Sequence, residues 1–541
     1  MTFRPRRVAT RVLDVLAAVV VVLACLAPGL IASSSALALA RIPVEAVLAL
    51  VLLLLLPWRP ARRVAAVVVA IVFVVSALLA AVDRVFAATV GRPFDPVGGW
   101  QELADGYGVV SDSTGPVGAI ALVVLLGVTV LAAVALVAAA LLRLTRLLAR
   151  RRRPALIGAV GVTAAWLVVA LVGAQLVPGE PVAAADAVST GIAKTRQAVE
   201  TAGAQAALAR ATGSDPYADV PASDLLTGLR GKDVLVVFVE SYGQVAVQGT
   251  GFSPGVDAVL RDGTAQLTAQ GYSQRSAFLT SSTFGGISWL AHSTLQTGLW
   301  IDSQQKYDQV TAGDRLTLSA AFRKAGWRTV SDVPSDTKPW PVGRSFYHYD
   351  EQLNATNVGY AGPRFSYARI PDQYTLAHFQ RSELAKPHAP VMAEIDLVSS
   401  HTPWTPLPQL LPWDAVGNGS AYDPQPAQGL PPSVVWRDPE HVQQLYGESV
   451  QYSLRSLFSF LGAVDDPNLV LVVLGDHQPA AVVSGEGANH EVPISIVAKD
   501  PAVIARISPW KWQPGMLPSP SAPVWRMDAF RDRFLSAFGP G

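Results

Sequence analysis

The sequence of 541 residues predicts a bundle of five membrane-spanning helices followed by a separate α/β/α domain. Three observations support this fold class. Hydrophobic residues make up 50% of the chain and charged residues only 15%, which is too apolar for an ordinary soluble protein. Long apolar stretches are concentrated in the first third of the chain. Further on, strand-like runs alternate with amphipathic stretches, which is typical of α/β domains.

Four apolar segments are each long enough to supply the roughly 20 residues that a helix needs to cross a bilayer. No charged residue occurs between the following pairs: Asp14 and Arg41, Arg63 and Asp83, Asp112 and Arg143, and Arg153 and Glu180. A fifth segment, between Arg41 and Arg59, is shorter and contains Glu45. Because residues 47–56 are almost wholly leucine and valine, we count this segment as the second of five spans.

Arginine-rich loops predict the orientation of these spans. The first span is preceded by Arg4, Arg6, Arg7 and Arg11. Between the second and third spans lie Arg59, Arg62 and Arg63, and between the fourth and fifth lie Arg143, Arg146 and Arg150 to Arg153. All three groups lie on one side of the membrane, which the positive-inside rule assigns to the cytoplasm. The chain after the fifth span is then extracytoplasmic. The predicted domains are a membrane bundle (1–179), a juxtamembrane helix and linker (180–230) and an extracytoplasmic domain (231–541).

The charge balance and the cysteine content exclude several classes of protein. The formal net charge is +1, so no basic excess indicates a nucleic-acid partner. The single cysteine, Cys25, lies in an apolar run. Intramolecular disulfides, a cysteine-rich zinc module and a cysteine nucleophile are therefore not expected. The sequence does not predict an oligomeric state.

Two runs in the second part of the chain predict buried strands, at residues 233–239 and 468–474. Amphipathic stretches at residues 253–270, 317–326 and 441–461 alternate with them. This alternation favours a mostly parallel sheet that is covered by helices on both faces. In such sheets, ligands bind beyond the carboxyl ends of the strands.

Polar residues that can bind a metal follow both predicted strands directly. Glu240 comes after the first strand, and Asp476 and His477 come after the second. Taken alone, Glu240 is equally well explained as a helix-capping or ion-paired residue, and an Asp-His pair after a strand is more often structural than metal-binding. Together, two carboxylates and an imidazole are suitable ligands for one divalent cation. We therefore predict a metal site formed by these three residues.

The segment between the strands, residues 285–299, contains Gly-Gly-Ile-Ser288-Trp-Leu-Ala-His and ends in Leu-Gln-Thr-Gly-Leu. It resembles the alkaline phosphatase and sulfatase superfamily, in which a nucleophile opens a helix and Leu-x-Thr-Gly follows about ten residues later. The resemblance implies that Ser288 is the nucleophile and a fourth metal ligand, with Thr283 as the alternative. A helix N-terminus favours an alkoxide or a bound phosphate. The competing interpretation is that Ser288 only caps the helix.

Within that superfamily, the chain resembles the lipoteichoic acid synthase branch of membrane phosphoglycerol transferases. The predicted five spans, Glu240 at the first strand end and the segment 338–350 carry this resemblance. It implies one bound divalent cation, expected to be Mn²⁺ with Mg²⁺ or Zn²⁺ as alternatives. It also implies that Trp340 and Arg344 hold the head group of the substrate. Their spacing is wider than in the family, and the competing interpretation is that Trp340 packs and Arg344 pairs with Asp350.

Two histidines lie in further segments that resemble this superfamily. His401, in Ser-Ser-His-Thr-Pro-Trp, is similar to Ser-Asn-His-x-Pro-Phe, and His490, in Asn-His-Glu-Val-Pro, resembles an element of phosphoethanolamine transferases. Either imidazole could protonate a leaving alkoxide or bind substrate phosphate. We assign His292 to ordinary packing and regard Asp396 as a supporting group whose spacing does not favour a second metal.

These inferences predict a metal-dependent transferase at the outer face of the cell membrane. Its donor would be a phosphatidylglycerol-like lipid, and its acceptor an envelope glycan or glycolipid. The alternatives are a membrane-anchored phosphodiesterase, a phosphoethanolamine transferase, a sulfatase-like hydrolase and a non-catalytic envelope scaffold. Sulfate-ester hydrolysis is disfavoured because Ser288 is not followed by the Pro and Arg of the sulfatase motif.

Overall fold

The computed structural model describes residues 5–33, 35–385 and 388–540, and within them the chain forms two compact units. The first unit comprises the described residues up to Ala87 together with Arg92–Gly203. The second comprises Ala88–Gly91 and the described residues from Ala204 onward. The boundary therefore falls inside the predicted juxtamembrane segment 180–230 rather than at either of its ends.

The N-terminal part of the chain is helical. Its helices are α1 (Pro5–Ser33), α2 (Val44–Leu55), α3 (Arg59–Val90), α4 (Trp100–Ala149), α5 (Arg152–Val172) and α6 (Asp186–Thr212). Four very short strands accompany them: β1 (Ile42–Pro43), β2 (Gln175–Val177), β3 (Glu180–Pro181) and β4 (Ala183–Ala184).

Within the described residues, four helical segments are long and apolar enough to cross a membrane: Ala9–Ser33, Arg59–Val90, Gly115–Ala149 and Arg152–Val172. The third begins inside α4, at a kink where Gly115 has a φ of 78° and Pro116 follows. The second predicted span corresponds to α2, which has only 12 residues. A helix of that length measures about 18 Å, compared with a hydrocarbon core of roughly 30 Å.

Ion pairs and a hydrogen bond explain why the start of α6 belongs to the first unit. Arg41 bonds Asp186 at 2.8 Å, and Lys194 bonds Asp83 at 2.6 Å. Glu45, near the start of α2, accepts a hydrogen bond from the backbone N–H of Val188 at 2.8 Å. A carboxylate at that position satisfies one of the free amides at the α6 N-terminus and complements the helix dipole.

The second unit contains a nine-stranded sheet in which the central strands are parallel. Its strands are β5 (Asp233–Val239), β6 (Ser273–Thr280), β7 (Arg328–Val333), β8 (Glu351–Asn354), β9 (Val391–Leu397), β10 (Leu469–Gly475), β11 (Glu491–Ala498), β12 (Gln513–Pro514) and β13 (Val524–Arg526). The strand order is β12-β6-β11-β10-β5-β9-β7-β8, with β13 paired to β6. The run from β10 to β8 is parallel, and β11 and β6 continue it antiparallel.

Helices cover both faces of this sheet. They are α7 (Ser253–Ala269), α8 (Ser288–Thr297), α9 (Gln304–Thr311), α10 (Leu318–Lys324), α11 (Pro341–Ser345), α12 (Asp372–Phe379), α13 (Pro432–Val435), α14 (Pro439–Val464), α15 (Ala481–Ser484), α16 (Pro501–Arg506) and α17 (Phe530–Ala537). One buried core joins α7, α12 and α14 to the sheet, and another joins α8, α10, α16 and α17 to its other face.

The predicted α/β/α architecture is therefore confirmed. Strand β5 has the predicted bounds, and β10 is shifted from the prediction by one residue. The three predicted amphipathic stretches correspond to α7, α10 and α14. All seven residues of both β5 and β10 are buried, which explains their continuous apolar sequence.

Candidate active site

The two predicted strand ends lie side by side. Strands β5 and β10 are parallel neighbours, and their last residues, Val239 and Gly475, are paired in register. Glu240 follows the first strand, and Asp476 and His477 follow the second. The parallel pairing thus places all three residues at the same edge of the sheet, where α/β folds bind their ligands.

These three residues form a compact cluster, which we call the strand-end cluster. His477 Nε2 lies 3.3 Å from Glu240 Oε1 and 3.6 Å from Asp476 Oδ2. Glu240 is 9% exposed, and Asp476 and His477 are 1% exposed. The ligand atoms of the three residues lie within 4.8 Å of one another, which is compatible with a single ion between them.

The hydrogen bonds within the cluster leave Asp476 Oδ2 and His477 Nε2 available to bind a cation. Asp476 Oδ1 accepts the backbone N–H groups of Ser241 and His477, each at 2.7 Å. Asp476 Oδ2 is buried and has no hydrogen-bond partner among the described residues. His477 Nδ1 donates to the carbonyl of Gln478 at 2.8 Å, which leaves Nε2 free to act as a ligand. The donor set therefore fits a divalent cation.

The electrostatics of the cluster also favour a positive charge at its centre. Burial and the nearby Glu240 carboxylate together raise the pKa of Asp476 to about 6. Burial alone would lower the pKa of His477, but the Asp476 and Glu240 carboxylates raise it to about 9. A proton on His477 supplies the positive charge in the absence of a cation, and a bound cation would replace that proton.

Ser288 occupies the first position of α8 and contacts the strand-end cluster. Its hydroxyl donates to Glu240 Oε2 at 3.0 Å, and its Oγ lies 3.1 Å from His477 Nε2. Ile287, just before the helix, has a φ of 64°, which is rare for a β-branched residue. Strained backbone of this kind clusters at functional sites.

Thr283, the alternative nucleophile, contacts Ser281 instead of the strand-end cluster, at 3.5 Å between their hydroxyl oxygens.

The two other predicted histidines lie near the same edge of the sheet. His401 follows β9, and its ring stacks on Tyr367 at 3.6 Å between centroids. Burial alone would raise the pKa of Glu240, but the hydrogen bond with His477 and the nearby His401 lower it. His490 precedes β11, and its ring lies 5.3 Å from that of Phe284. Burial lowers the pKa of His490, and the nearby His477 lowers it further.

The predicted head-group residues lie at α11, where Trp340 precedes the helix and Arg344 belongs to it. Trp340 packs against Tyr347 and Tyr349, with ring centroids at 5.2 and 6.2 Å. Arg344 is exposed on α11. Asp350, its predicted alternative partner, bonds Arg323 at 2.9 Å. The structure therefore shows Trp340 packed, as one interpretation predicted, and Asp350 paired with an arginine other than Arg344.

A second group of polar residues was not predicted as a unit. His292, which the sequence analysis assigned to ordinary packing, lies between Glu394 and Asp396. The sequence carried two signals for this group. His292 follows Ser288 by one helical turn, and Glu394 and Asp396 alternate with apolar residues in a strand-like run.

Neither a family model nor a curated protein matches the chain. Among solved structures, it is similar to the integral membrane lipooligosaccharide phosphoethanolamine transferase A from Neisseria meningitidis. The identity is 13%, the match covers 90% of this chain and 85% of that chain, and the TM-score is 0.43.

Two further similar structures are the lipoteichoic acid synthase LtaP from Listeria monocytogenes and the phosphoglycerol transferase GacH from Streptococcus pyogenes. For LtaP the identity is 14%, the coverage is 58% of this chain and 74% of that chain, and the TM-score is 0.35. For GacH the identity is 12%, the coverage is 62% of this chain and 91% of that chain, and the TM-score is 0.34. A structure described as a protein in the alkaline phosphatase superfamily, from Vibrio parahaemolyticus, is also similar.

Proposed function

We propose that the chain is a metal-dependent phosphoryl-group transferase of the alkaline phosphatase superfamily, with Ser288 as its nucleophile. One observation carries this proposal: Ser288 Oγ, at the N-terminus of α8, lies 3.0 Å from Glu240 and 3.1 Å from His477. A serine that only capped its helix would bond an amide of its own first turn, whereas the hydrogen bonds of the Ser288 hydroxyl among the described residues go to Glu240 and His477. The motif resemblance of residues 285–299 supports the same role.

The metal would be held by Glu240, Asp476, His477 and Ser288, with Mn²⁺ as the expected ion and Mg²⁺ or Zn²⁺ as alternatives. When bound, such a cation acts as a Lewis acid toward a phosphoryl oxygen and lowers the pKa of a nearby hydroxyl. The carboxylates and the imidazole suit any of these ions.

The residues of the chain support a two-step transfer. Ser288 Oγ attacks the phosphorus of the lipid phosphodiester, and the bond from phosphorus to the diacylglycerol oxygen breaks. Glu240 Oε2 is close enough to receive the serine proton, and His401 or His490 can protonate the departing diacylglycerol oxygen. An acceptor hydroxyl then attacks the same phosphorus and loses its proton to the histidine that protonated diacylglycerol; the bond from phosphorus to Ser288 Oγ breaks, and Glu240 returns the serine proton to that oxygen.

A phosphatidylglycerol-like lipid is the proposed donor, and an envelope glycan or glycolipid the proposed acceptor. Apolar helices in the same chain would keep the enzyme in the membrane that holds the donor. Exposed Arg344 and the aromatic group around Trp340 are the proposed head-group contacts, since a guanidinium binds phosphate oxygens through paired hydrogen bonds.

The test is incubation of the purified full-length protein in detergent with phosphatidylglycerol labelled in its head-group glycerol. With Mn²⁺, we expect diacylglycerol release and transient label on the protein, and we expect EDTA to abolish both. Label released to water at the rate of diacylglycerol formation would instead indicate a phosphodiesterase. Absence of diacylglycerol with Mn²⁺, Mg²⁺ and Zn²⁺, and with phosphatidylethanolamine as donor, would contradict the proposal.

We also propose that the second unit is extracytoplasmic. The arginines at positions 59, 62 and 63 are cytoplasmic only if the short helix α2 crosses the membrane, and that crossing gives five spans in total. Alkaline phosphatase fused after Gly231 should therefore be active, whereas a fusion after Arg150 should be inactive. Activity on the same side for both fusions, or activity only after Arg150, would contradict this topology.

A further inference from the structure

Helix α8 presents polar side chains toward the sheet at three successive turns. Ser288, at the first turn, bonds Glu240. His292, one turn later, faces Glu394 and Asp396 on β9. Gln296, another turn later, bonds Glu394 through its amide. Residues four apart lie on one face of a helix, so these side chains form a polar row that leads inward from the strand-end cluster.

The middle of this row is a compact group of one imidazole and two carboxylates, which we call the inner cluster. His292 Nδ1 lies 3.4 Å from Glu394 Oε1 and 3.7 Å from Asp396 Oδ1. The three ligand atoms lie within 4.8 Å of one another. These spacings are those of ligands around a single ion, because ligand bonds of about 2.0–2.2 Å place neighbouring donors 3 to 4 Å apart.

Neighbouring residues fix the orientation of the inner cluster. The His292 ring stacks on Phe238 at 3.8 Å between centroids. Glu394 Oε2 accepts the Tyr349 hydroxyl at 2.8 Å and the Gln296 amide, which leaves Oε1 directed toward His292. Metal ligands are commonly oriented by such outer hydrogen bonds.

One ligand atom of the inner cluster lacks a hydrogen bond. Asp396 Oδ1, which lies 3.7 Å from His292 Nδ1, is buried and has no hydrogen-bond partner among the described residues. A buried polar atom without a partner is destabilising, and more so when the group is charged. In the part of the chain that the structure describes, no lysine or arginine forms an ion pair with Glu394 or Asp396.

The negative charges of the strand-end cluster and the inner cluster must be balanced together. The two clusters contain four carboxylates: Glu240, Asp476, Glu394 and Asp396. One divalent cation in the strand-end cluster compensates two of these charges, and an imidazolium at His292 compensates one more. If all four carboxylates are ionised, a single cation therefore leaves a net negative charge in a buried region, which is strongly unfavourable. Burial raises the pKa of Asp396, and the carboxylates of Glu394, Asp476 and Glu240 raise it further, so either a proton on Asp396 or a second cation must offset this charge.

We propose that the inner cluster binds a second divalent cation, held by His292, Glu394 and Asp396. One nitrogen and two oxygen donors suit Zn²⁺ or Mn²⁺. The inference is independent of the transferase proposal, because a second ion can bind whether or not the protein transfers a phosphoryl group. The competing arrangement is an imidazolium at His292 shared between the two carboxylates without a metal.

The test is metal stoichiometry of the full-length protein in detergent, stripped with EDTA and titrated separately with Mn²⁺ and Zn²⁺. We expect two equivalents for the wild type with at least one of the two metals. Asp396→Asn should retain one equivalent, Glu240→Gln should retain one, and the double variant should retain none. Asp262→Asn, which changes an exposed carboxylate of α7, should retain two.

One equivalent in the wild type with both metals would overturn the second site, and so would two equivalents in Asp396→Asn. Glu240→Gln keeps the inference testable if Asp396→Asn does not fold. The single ion that Glu240→Gln retains should be lost when His292→Ala is added. Retention of that ion in the Glu240→Gln, His292→Ala variant would also overturn the assignment. None of these measurements depends on turnover, so they separate this inference from the proposed function.

Discussion

Ser288→Ala is expected to lower metal-dependent diacylglycerol release by at least about 10³-fold, because a covalent mechanism loses its nucleophile. The Ser288 hydroxyl is within 3.1 Å of two residues of the strand-end cluster. Ser288→Thr should retain partial activity, since threonine supplies the same hydroxyl with one additional methyl group. The steady-state rate of diacylglycerol release from labelled phosphatidylglycerol measures the activity of the wild type, Ser288→Ala and Ser288→Thr.

Thr283→Ala is the matched control for this prediction. Thr283 is buried, and its hydroxyl lies 3.5 Å from that of Ser281. We expect its activity to stay within about threefold of the wild type, a barrier change of less than 1 kcal/mol. An inactive Thr283→Ala together with a nearly normal Ser288→Ala would assign the nucleophile to Thr283 instead.

Substitutions in the strand-end cluster are expected to remove the metal ion of that cluster together with turnover, while an ion in the inner cluster is retained. Glu240→Gln and Asp476→Asn keep the side-chain size and delete the charge, and His477→Ala deletes a nitrogen ligand. Loss of a residue that only orients a ligand costs about 10- to 100-fold in affinity, so loss of a ligand should cost at least about 100-fold. Isothermal titration with Mn²⁺, together with the lipid assay, measures both effects.

Asp262→Asn serves as the control here as well, because it removes one exposed carboxylate from α7. It should leave metal affinity and turnover unchanged. The far-UV circular dichroism of all four variants should match that of the wild type, which separates loss of metal from loss of fold. Unchanged metal affinity and activity in Glu240→Gln, Asp476→Asn and His477→Ala would mean that the cluster is only structural.

The strand-end cluster could be predicted from the sequence because each of its members directly follows a recognisable strand. Continuous apolar runs identify β5 and β10 without any tertiary information. The parallel pairing of these strands then places Glu240 beside Asp476 and His477. Apolar positions that recur with the helical period likewise predicted α7, α10 and α14, and the structure confirms these three helices.

The inner cluster could not be predicted in this way, because it depends on packing between elements that are distant in sequence. Glu394 and Asp396 meet His292 only because β9 is the neighbour of β5 and α8 packs across both strands. Strand order of this kind is not encoded in local periodicity. The length of α2 is a similar case, since a run of leucine and valine does not specify where its helix begins and ends.

The central claim is that Ser288 forms a covalent bond to the phosphoryl group of a lipid donor. The most direct test is to expose the full-length protein to phosphatidylglycerol and Mn²⁺ without an acceptor, quench with acid, and map the modified peptide by mass spectrometry. The expected result is one glycerophosphate group on Ser288, present with metal and absent with EDTA. A glycerophosphate group on Thr283, or no adduct in a protein that releases diacylglycerol, would contradict this claim.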